Sequence, residues 1–343
     1  MSRKKALALA AAALVLLAAA LAAAAARKGR DEVFQRQLFA MDTVMTLSAA
    51  GPHAEEALEE AVLELERLDA LWSTGSPDSE VSRLNASGGD ARLSGDTVEL
   101  LERSLEICRE TGGLFDPSIF PLTELWGFQT DDPHVPAREQ IEALLPLVDG
   151  SSLALEDGAL SLGEEQSVDL GGIAKGFASA RVMEIFVKYG VSSGMVSLGG
   201  NVQTLGAKPD GSPWRVGVRD PEGSAGDYLG VLSVRDKAVI TSGGYERFFE
   251  EGGQTYCHIL DPRTGYPAES DLASATVVSS DGVLADGLST ALYIMGSQDA
   301  AAFWAGHADD FDMVLATVSG EILVTEGVAE QFECRGRVSV LHG

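Results

Sequence analysis

The chain has 343 residues, with 25 Lys and Arg against 52 Asp and Glu and a net charge of −27. Residues 1–30 hold six of the basic groups and no acidic ones, so residues 31–343 carry 19 against 52, a net of −33. Such a field repels nucleic acid and excludes it as a partner, yet it tolerates a phosphate ligand where glycine turns, a lysine or a divalent cation offset it.

Arg3, Lys4 and Lys5 precede an unbroken run of 21 apolar residues from Ala6 to Ala26, and Arg27, Lys28 and Arg30 follow. Residues 1–30 read as a signal peptide or membrane anchor and are set aside from fold reasoning. The run is long enough to span a bilayer, while Ala22, Ala24 and Ala26 permit cleavage, so both fates stay open. Its basic end stays in the cytoplasm, which puts residues 31–343 on the outer face of that membrane or in the periplasm. The run has no cysteine near its end for lipid attachment. The length after residue 30 suits one large domain or two modest ones.

Residues 39–47 (FAMDTVMTL) alternate apolar and small polar side chains and predict a strand. Residues 55–72 predict an amphipathic helix with Ala57, Ala61, Leu65, Leu68 and Trp72 on its apolar face. A polar loop is expected over 73–89 and a second helix over 96–111, ended by Gly112-Gly113. Residues 112–128 are rich in Gly, Pro and aromatics and predict no regular element. A short helix follows over 138–145, then a hairpin over 154–162 turning at Asp157-Gly158. Residues 168–178 (VDLGGIAKGFA) predict a short strand, a glycine turn and a helix running to residue 189. Strands are expected over 194–206 with a glycine break, 214–218, 229–234, 238–241 and 273–278, and from 255 into a Pro/Gly turn. A helix over 284–295 and two or three strands over 311–341 complete the chain. Mixed elements without strict β-α-β alternation predict an α+β fold.

The glycine turn before the helix at 174 is neither a Walker loop nor a GxGxxG fingerprint. It reads as a phosphate cradle at a helix N-terminus or as a structural turn. Lys175 in the first turn opposes the helix dipole, which a bound anion would explain. Asp286 and Thr290, four apart, share one helix face. They read either as hard oxygen ligands for Mg²⁺ or as an acid near a helix N-terminus beside a core-edge threonine. His258 is a candidate base or ligand contact, or a structural histidine; Arg263 and Gly265 are turn candidates. Residues 241–246 (TSGGYE) form another glycine turn, either lining a nucleotide pocket or a plain β-turn. Cys108, Cys257 and Cys334 form no even framework and read as three buried apolar thiols, with one disulfide plus a free thiol as the alternative.

Taken in order, the stretches 39–47, 73–85, 112–128 (GGLFDPSIFPLTELWGF), 168–178, 197–201 (SLGGN), 240–249 (ITSGGYERFF), 258–267 (HILDPRTGYP) and 274–296 resemble the ApbE family, the FAD:protein FMN transferases. The resemblance implies an ApbE-like, T-fold-like domain over 31–343, of mixed, largely antiparallel sheets with packed helices. It implies Mg²⁺-dependent transfer of FMN from FAD onto a Thr or Ser hydroxyl of a partner protein, with release of AMP. The acceptors it implies are subunits of membrane redox complexes or exported flavoproteins, and residues 6–26, if uncleaved, would hold the enzyme at the membrane beside them. An Mg²⁺-dependent FAD pyrophosphatase and a non-catalytic exported FAD-binding protein are the alternatives.

By the same resemblance, Asp286, Thr290 and the carbonyl of Gly172 hold Mg²⁺. Met41, Leu114, Phe115, Asp116, Asp169, Lys175, His258 and Leu260 face FAD. His258, Asp286 and Lys175 are the expected catalytic residues. The chain departs from the family pattern at Gly75, where an aromatic often follows Ser-Thr; Trp72 is expected to point elsewhere, leaving the adenine without that ring.

Overall fold

The computed structural model describes residues 32–343 apart from positions 90 and 225; the 6–26 run lies outside the described residues. Sixteen strands are described: β1 Val33–Ala40, β2 Thr43–Ala50, β3 Ala154–Glu156, β4 Ala159–Ser161, β5 Ser193–Leu198, β6 Asn201–Gly206, β7 Trp214–Arg219 and β8 Tyr228–Val234. The others are β9 Ala238–Gly243, β10 Phe248–Glu251, β11 Gln254–Cys257, β12 Leu272–Ser279, β13 Asp312–Thr317, β14 Ile322–Thr325, β15 Phe332–Cys334 and β16 Val338–Leu341. The α-helices are α1 Ala54–Trp72, α2 Glu80–Ser87, α3 Gly95–Glu110, α4 Phe120–Trp126, α5 Arg138–Leu144, α6 Ala174–Lys188, α7 Gly282–Ala305 and α8 Glu326–Ala329.

Nine strands form one sheet in the order β1-β2-β5-β6-β9-β12-β13-β14-β16. Every neighbouring pair in it is antiparallel except β14 with β16. Side chains alternate between its faces. Met45, Leu47, Val196, Leu198, Ala238 and Ile240 are buried on one face in a core shared with α1, α6 and α7. Val239, Val278 and Val314 point the other way, into a second core with β7 and β8 of a three-stranded sheet ordered β15-β8-β7. The α+β fold with largely antiparallel sheets is as expected.

Local readings differ in five places; residues 311–341, expected to give two or three strands, hold four, β13 to β16, with α8 between β14 and β15. Residues 39–47 are a hairpin, because Met41 and Asp42 take φ of 47° and 56° and turn the chain between β1 and β2. The supposed loop over 73–89 contains α2, capped by the Ser79 hydroxyl, which accepts the Ser82 N–H at 2.9 Å. The irregular 112–128 stretch contains α4, preceded by a 3₁₀ turn at Pro117–Ile119 that the Asp116 side chain caps. Val168 is not in a strand: the Asn85 side-chain amide accepts its N–H at 2.8 Å and donates to its carbonyl at 2.9 Å, doing the work of a neighbouring strand. All three cysteines are free; Cys108 is buried, whereas Cys257 and Cys334 are half-buried, so the reading of three buried thiols holds for Cys108 alone.

Helices α6 and α7 cross with almost no separation. A Cβ on Gly176 would lie 2.2 Å from the Gly282 carbonyl oxygen and 2.7 Å from the Asp286 Cβ. Backbone cannot yield there as a flexible side chain would, so Gly176→Ala is expected to lower unfolding free energy by about 1–3 kcal/mol. Urea denaturation checks this; a change under about 0.5 kcal/mol would show that the crossing relaxes freely.

Candidate functional site

The β1–β2 turn, the end of α1, the segment after α3, the turn before α6, the end of β9, the segment after β11 and one face of α7 converge on a cavity of about 620 Å³. That lies in the usual range of small-molecule sites, about 300–1,000 Å³. All eleven residues singled out from the sequence border it.

Its electrostatic centre is Asp286, 4 % exposed. One carboxylate oxygen accepts the Gly176 N–H at 2.7 Å, and the other accepts the Asn201 side-chain N–H at 2.8 Å. Helix α6 has no side-chain cap of its own at Ile173. Of its N-terminal donors, the Gly176 N–H is met from α7 by the Asp286 carboxylate and the Ala174 N–H by the Leu170 carbonyl. Burial pushes the Asp286 carboxyl up, opposed by the Lys175 charge and by these hydrogen bonds. Among the described residues no cation lies within 4.0 Å of it.

Thr290 is one turn further along α7, and its hydroxyl lies 3.3 Å from that of Ser242 on β9. A buried carboxylate with no cation at ion-pair distance and a hydroxyl on the same helix face make a hard oxygen pair, and Gly172 borders the same cavity. Among the described residues no cluster of three or more His, Cys, Asp or Glu could cage a metal. One carboxylate with open positions for phosphate and water is the arrangement Mg²⁺ favours, so the residues present fit that ion.

The glycine turn before α6 needs space rather than a left-handed backbone. Neither Gly171 nor Gly172 has positive φ, and a Cβ on Gly172 would meet the Phe115 ring at 3.1 Å. Asp169 accepts the Gly171 N–H at 2.8 Å and the Gln129 side-chain N–H at 3.1 Å, and Gln129 accepts in turn from Thr74. This chain ties the Ser73–Gly75 loop to the cavity wall. Burial pushes the Asp169 carboxyl up, while those two donors and Lys175 pull it back. Asp116 borders the cavity, but its carboxylate is committed to Ser118 and to the Gly150 N–H. It therefore shapes the segment that presents Leu114 and Phe115. Met41 enters the wall from the strained β1–β2 turn, the kind of conformation that concentrates at functional sites.

His258 donates both its backbone N–H and its Nδ1–H to the Arg247 carbonyl, at 3.0 and 3.2 Å. A carbonyl can only accept, so Nδ1 carries the proton and Nε2 keeps its lone pair. The ring retains some exposed surface, yet the cavity walls close around it. Their desolvation, reinforced by the charges of Arg247 and Lys175, lowers its pKa to about 4 against the helping bond to Arg247. Leu260 lines the wall beyond. Arg263 lies outside it and pairs with Asp261 at 2.7 Å, so the turn reading of that residue holds. Burial pushes the Cys257 thiol up, which leaves no activated nucleophile there.

Sequence reasoning missed Arg219, Arg247, Glu246 and Asn201. Lys175, Arg219 and Arg247 all border the cavity, and among the described residues none has a carboxylate within 4.0 Å. Arg219 instead covers the Tyr245 ring at 4.8 Å. Three cations with no carboxylate at ion-pair distance, all bordering one cavity of so acidic a chain, suit a polyanionic ligand; from further off their charges pull back the Glu246 carboxyl, which burial pushes up. Arg247 and Glu246 lay within the quoted 240–249 stretch; Arg219 carried no sequence signal. Trp72 borders the cavity, but it is 5 % exposed, with its ring edge-on to Phe177 and its indole N–H held by Thr97 at 3.0 Å, so the ring is committed to the core; Phe128, just beyond α4, lines the cavity. Gly75 therefore does not leave the site without aromatic surface.

The sequence model of the ApbE family matches residues 41–315. The chain is 36 % identical over 273 residues to the FAD:protein FMN transferase of Treponema pallidum, covering 74 % of this chain and 75 % of that one. It is 31 % identical over 277 residues to that of Klebsiella pneumoniae, covering 79 % and 85 %. Its structure is similar to that of the ApbE protein of Thermotoga maritima, with a TM-score of 0.82, 30 % identity and coverage of 86 % and 98 %. It is also similar to the apo flavinyl transferase ApbE of Pseudomonas stutzeri, with a TM-score of 0.79, 30 % identity and coverage of 88 % and 97 %.

A depressed histidine pKa means that the fold favours the neutral ring. His258 thus contributes stability fully above its ordinary value of about 6.5, and this is lost as pH falls through about 4. An NMR titration of the ligand-free protein is expected to find its midpoint near 4. A midpoint near the unperturbed value would contradict the packing described.

Proposed function

The chain belongs to the ApbE family, and on that premise we propose that it is an FAD:protein FMN transferase acting on a Thr or Ser hydroxyl of a partner protein. The observation that carries this reading is the meeting, in one cavity, of Lys175, Arg219 and Arg247 with the Asp286–Thr290 oxygen pair and an imidazole whose Nε2 is unprotonated. Pyrophosphate exchange needs those three provisions: cations for the phosphate oxygens, a site for a divalent ion, and an acceptor for the nucleophile's proton.

In the proposed reaction the acceptor oxygen bonds to the phosphorus on the FMN side. The bond from that phosphorus to the bridging oxygen breaks, and its electron pair leaves on AMP. The hydroxyl proton passes to His258 Nε2. A bound pyrophosphate would favour the charged ring and raise its pKa from about 4 toward neutrality, so substrate binding itself arms the base. Lys175, Arg219 and Arg247 oppose the charge on the phosphate oxygens. Asp286, Thr290 and the Gly172 carbonyl are the residues that would hold Mg²⁺, which when bound neutralises pyrophosphate charge. Met41, Leu114, Phe115, Asp169 and Leu260 form walls for FAD.

The export reading of residues 1–30 puts this chemistry outside the cell membrane, and retention of the 6–26 run would keep the enzyme near membrane-bound acceptors. Water in place of the acceptor hydroxyl would make the same site an FAD pyrophosphatase, and intact FAD after incubation would mark a carrier.

Intact-mass spectrometry of an acceptor protein incubated with enzyme, FAD and Mg²⁺ is expected to find an added FMN with AMP released in parallel. Asp286→Ala, checked for folding by circular dichroism, is expected to lower transfer at least about a hundredfold. Transfer at near wild-type rate in the variant would overturn the assignment of Asp286; AMP and FMN without a labelled acceptor would favour hydrolysis.

A further inference from the structure

We propose that a second cavity, adjoining the first from the other face of the large sheet, receives the hydroxyl-bearing segment of the acceptor protein in extended form. This rests on the FMN-transfer reading. The second cavity measures about 420 Å³ and lies between β5–β6 of the large sheet and β7–β8 of the small one, walled by Met195, Ser197, Val202, Val216 and Tyr228. Gly199, Arg219, Thr241 and Glu246 line both cavities, so the two adjoin at Arg219, one of the three cations of the first.

Three observations select an extended peptide as occupant. First, β7 is the edge of its sheet: among the described residues only β8 pairs with it, and Arg215 to Gly217 and Arg219 border the cavity. A free strand edge takes an added strand through main-chain hydrogen bonds. Second, Gly200 and Gly226 border the cavity with open space where a side chain would stand, which leaves room for backbone to approach closely. The Tyr228 ring lies against the strand at Gly217, where a Cβ would meet it at 2.3 Å. Third, the same sheet face continues to an exposed apolar pair. Phe39 and Val44 oppose each other across β1 and β2, are 70 % and 62 % exposed, and share a face with Thr46 and Ser197. An exposed aromatic beside a groove is the usual anchor of a protein partner.

Reaction geometry agrees. With FAD in the first cavity, the attacking oxygen must arrive in line with and opposite to the departing AMP oxygen, so the acceptor needs an approach that the nucleotide does not fill. The junction at Arg219 and Glu246 offers such an entry.

The test uses two substitutions that line the second cavity only. Ser197→Trp fills it. Tyr228→Ala removes a wall residue that is 61 % exposed and so unlocks little packing. Full-length enzyme, FAD and Mg²⁺ are incubated with an array of short synthetic peptides carrying a central Thr between systematically varied neighbours, and FMN addition is read by mass. Wild-type enzyme is expected to label peptides with small residues beside the threonine. Both variants are expected to lose labelling at least about tenfold while FAD affinity, read by flavin fluorescence, stays unchanged. Variants that label as wild type does, or that lose FAD affinity in proportion, would overturn the second cavity's assignment. So would wild-type enzyme that cleaves FAD but labels no peptide. Wild-type enzyme that neither cleaves nor binds FAD would refute the transferase reading instead.

Discussion

The buried carboxylate of Asp286, held where α7 crosses the N-terminus of α6, is the interaction on which the site depends. Burying a charge costs several kcal/mol unless partners compensate it. Here compensation comes from the Gly176 N–H, the Asn201 amide and the Lys175 charge. Gly176 and Lys175 lie on α6, Asn201 on β6 and Asp286 itself on α7, so folding these three elements together is the same event as assembling the site. Gly176 and Gly282 make the approach possible, since any side chain at the crossing would push the helices apart. What remains is a carboxylate with lone pairs to spare and one more cation's worth of charge to satisfy, facing a cavity.

An acidic chain that binds a polyanion must concentrate its few cations. Lys175, Arg219 and Arg247 come from α6, β7 and the segment after β9, and they meet because the large sheet opens between β6 and β9, where only Val202 and Gln203 pair across. Gly199 and Thr241, beside that short pairing, line both cavities. In the proposed reaction the helix-covered face takes the nucleotide, and the opposite face, exposed at Phe39 and Val44, is the side from which the acceptor comes. Arg247 serves twice: its side chain borders the cavity, and its carbonyl fixes the tautomer of His258.

Much of this was legible in the sequence. The hairpin turning at Asp157-Gly158, the amphipathic α1 and the i,i+4 pair of Asp286 and Thr290 follow from local pattern alone. The β1–β2 turn was not legible, because a Met-Asp pair carries no glycine to announce a left-handed backbone. Val168 read as a strand because Val168 and Leu170 alternate with Ser167 and Asp169 ahead of a glycine turn, but a side-chain amide 83 residues away supplies its hydrogen bonds. Arg219 could not be found because its role comes from the packing of the small sheet on the large one. The role of Asp286 in capping α6 was equally hidden, since the cap lies 110 residues along the chain.

Isothermal titration of Mg²⁺ into the FAD-loaded protein, wild type against Asp286→Asn, tests most directly whether this buried carboxylate holds the divalent ion. Saturable binding to wild type that vanishes in a variant of unchanged far-ultraviolet circular dichroism is the expected result. Equal binding by both proteins would contradict it and move the metal, and with it the reacting phosphate, away from the α6–α7 crossing.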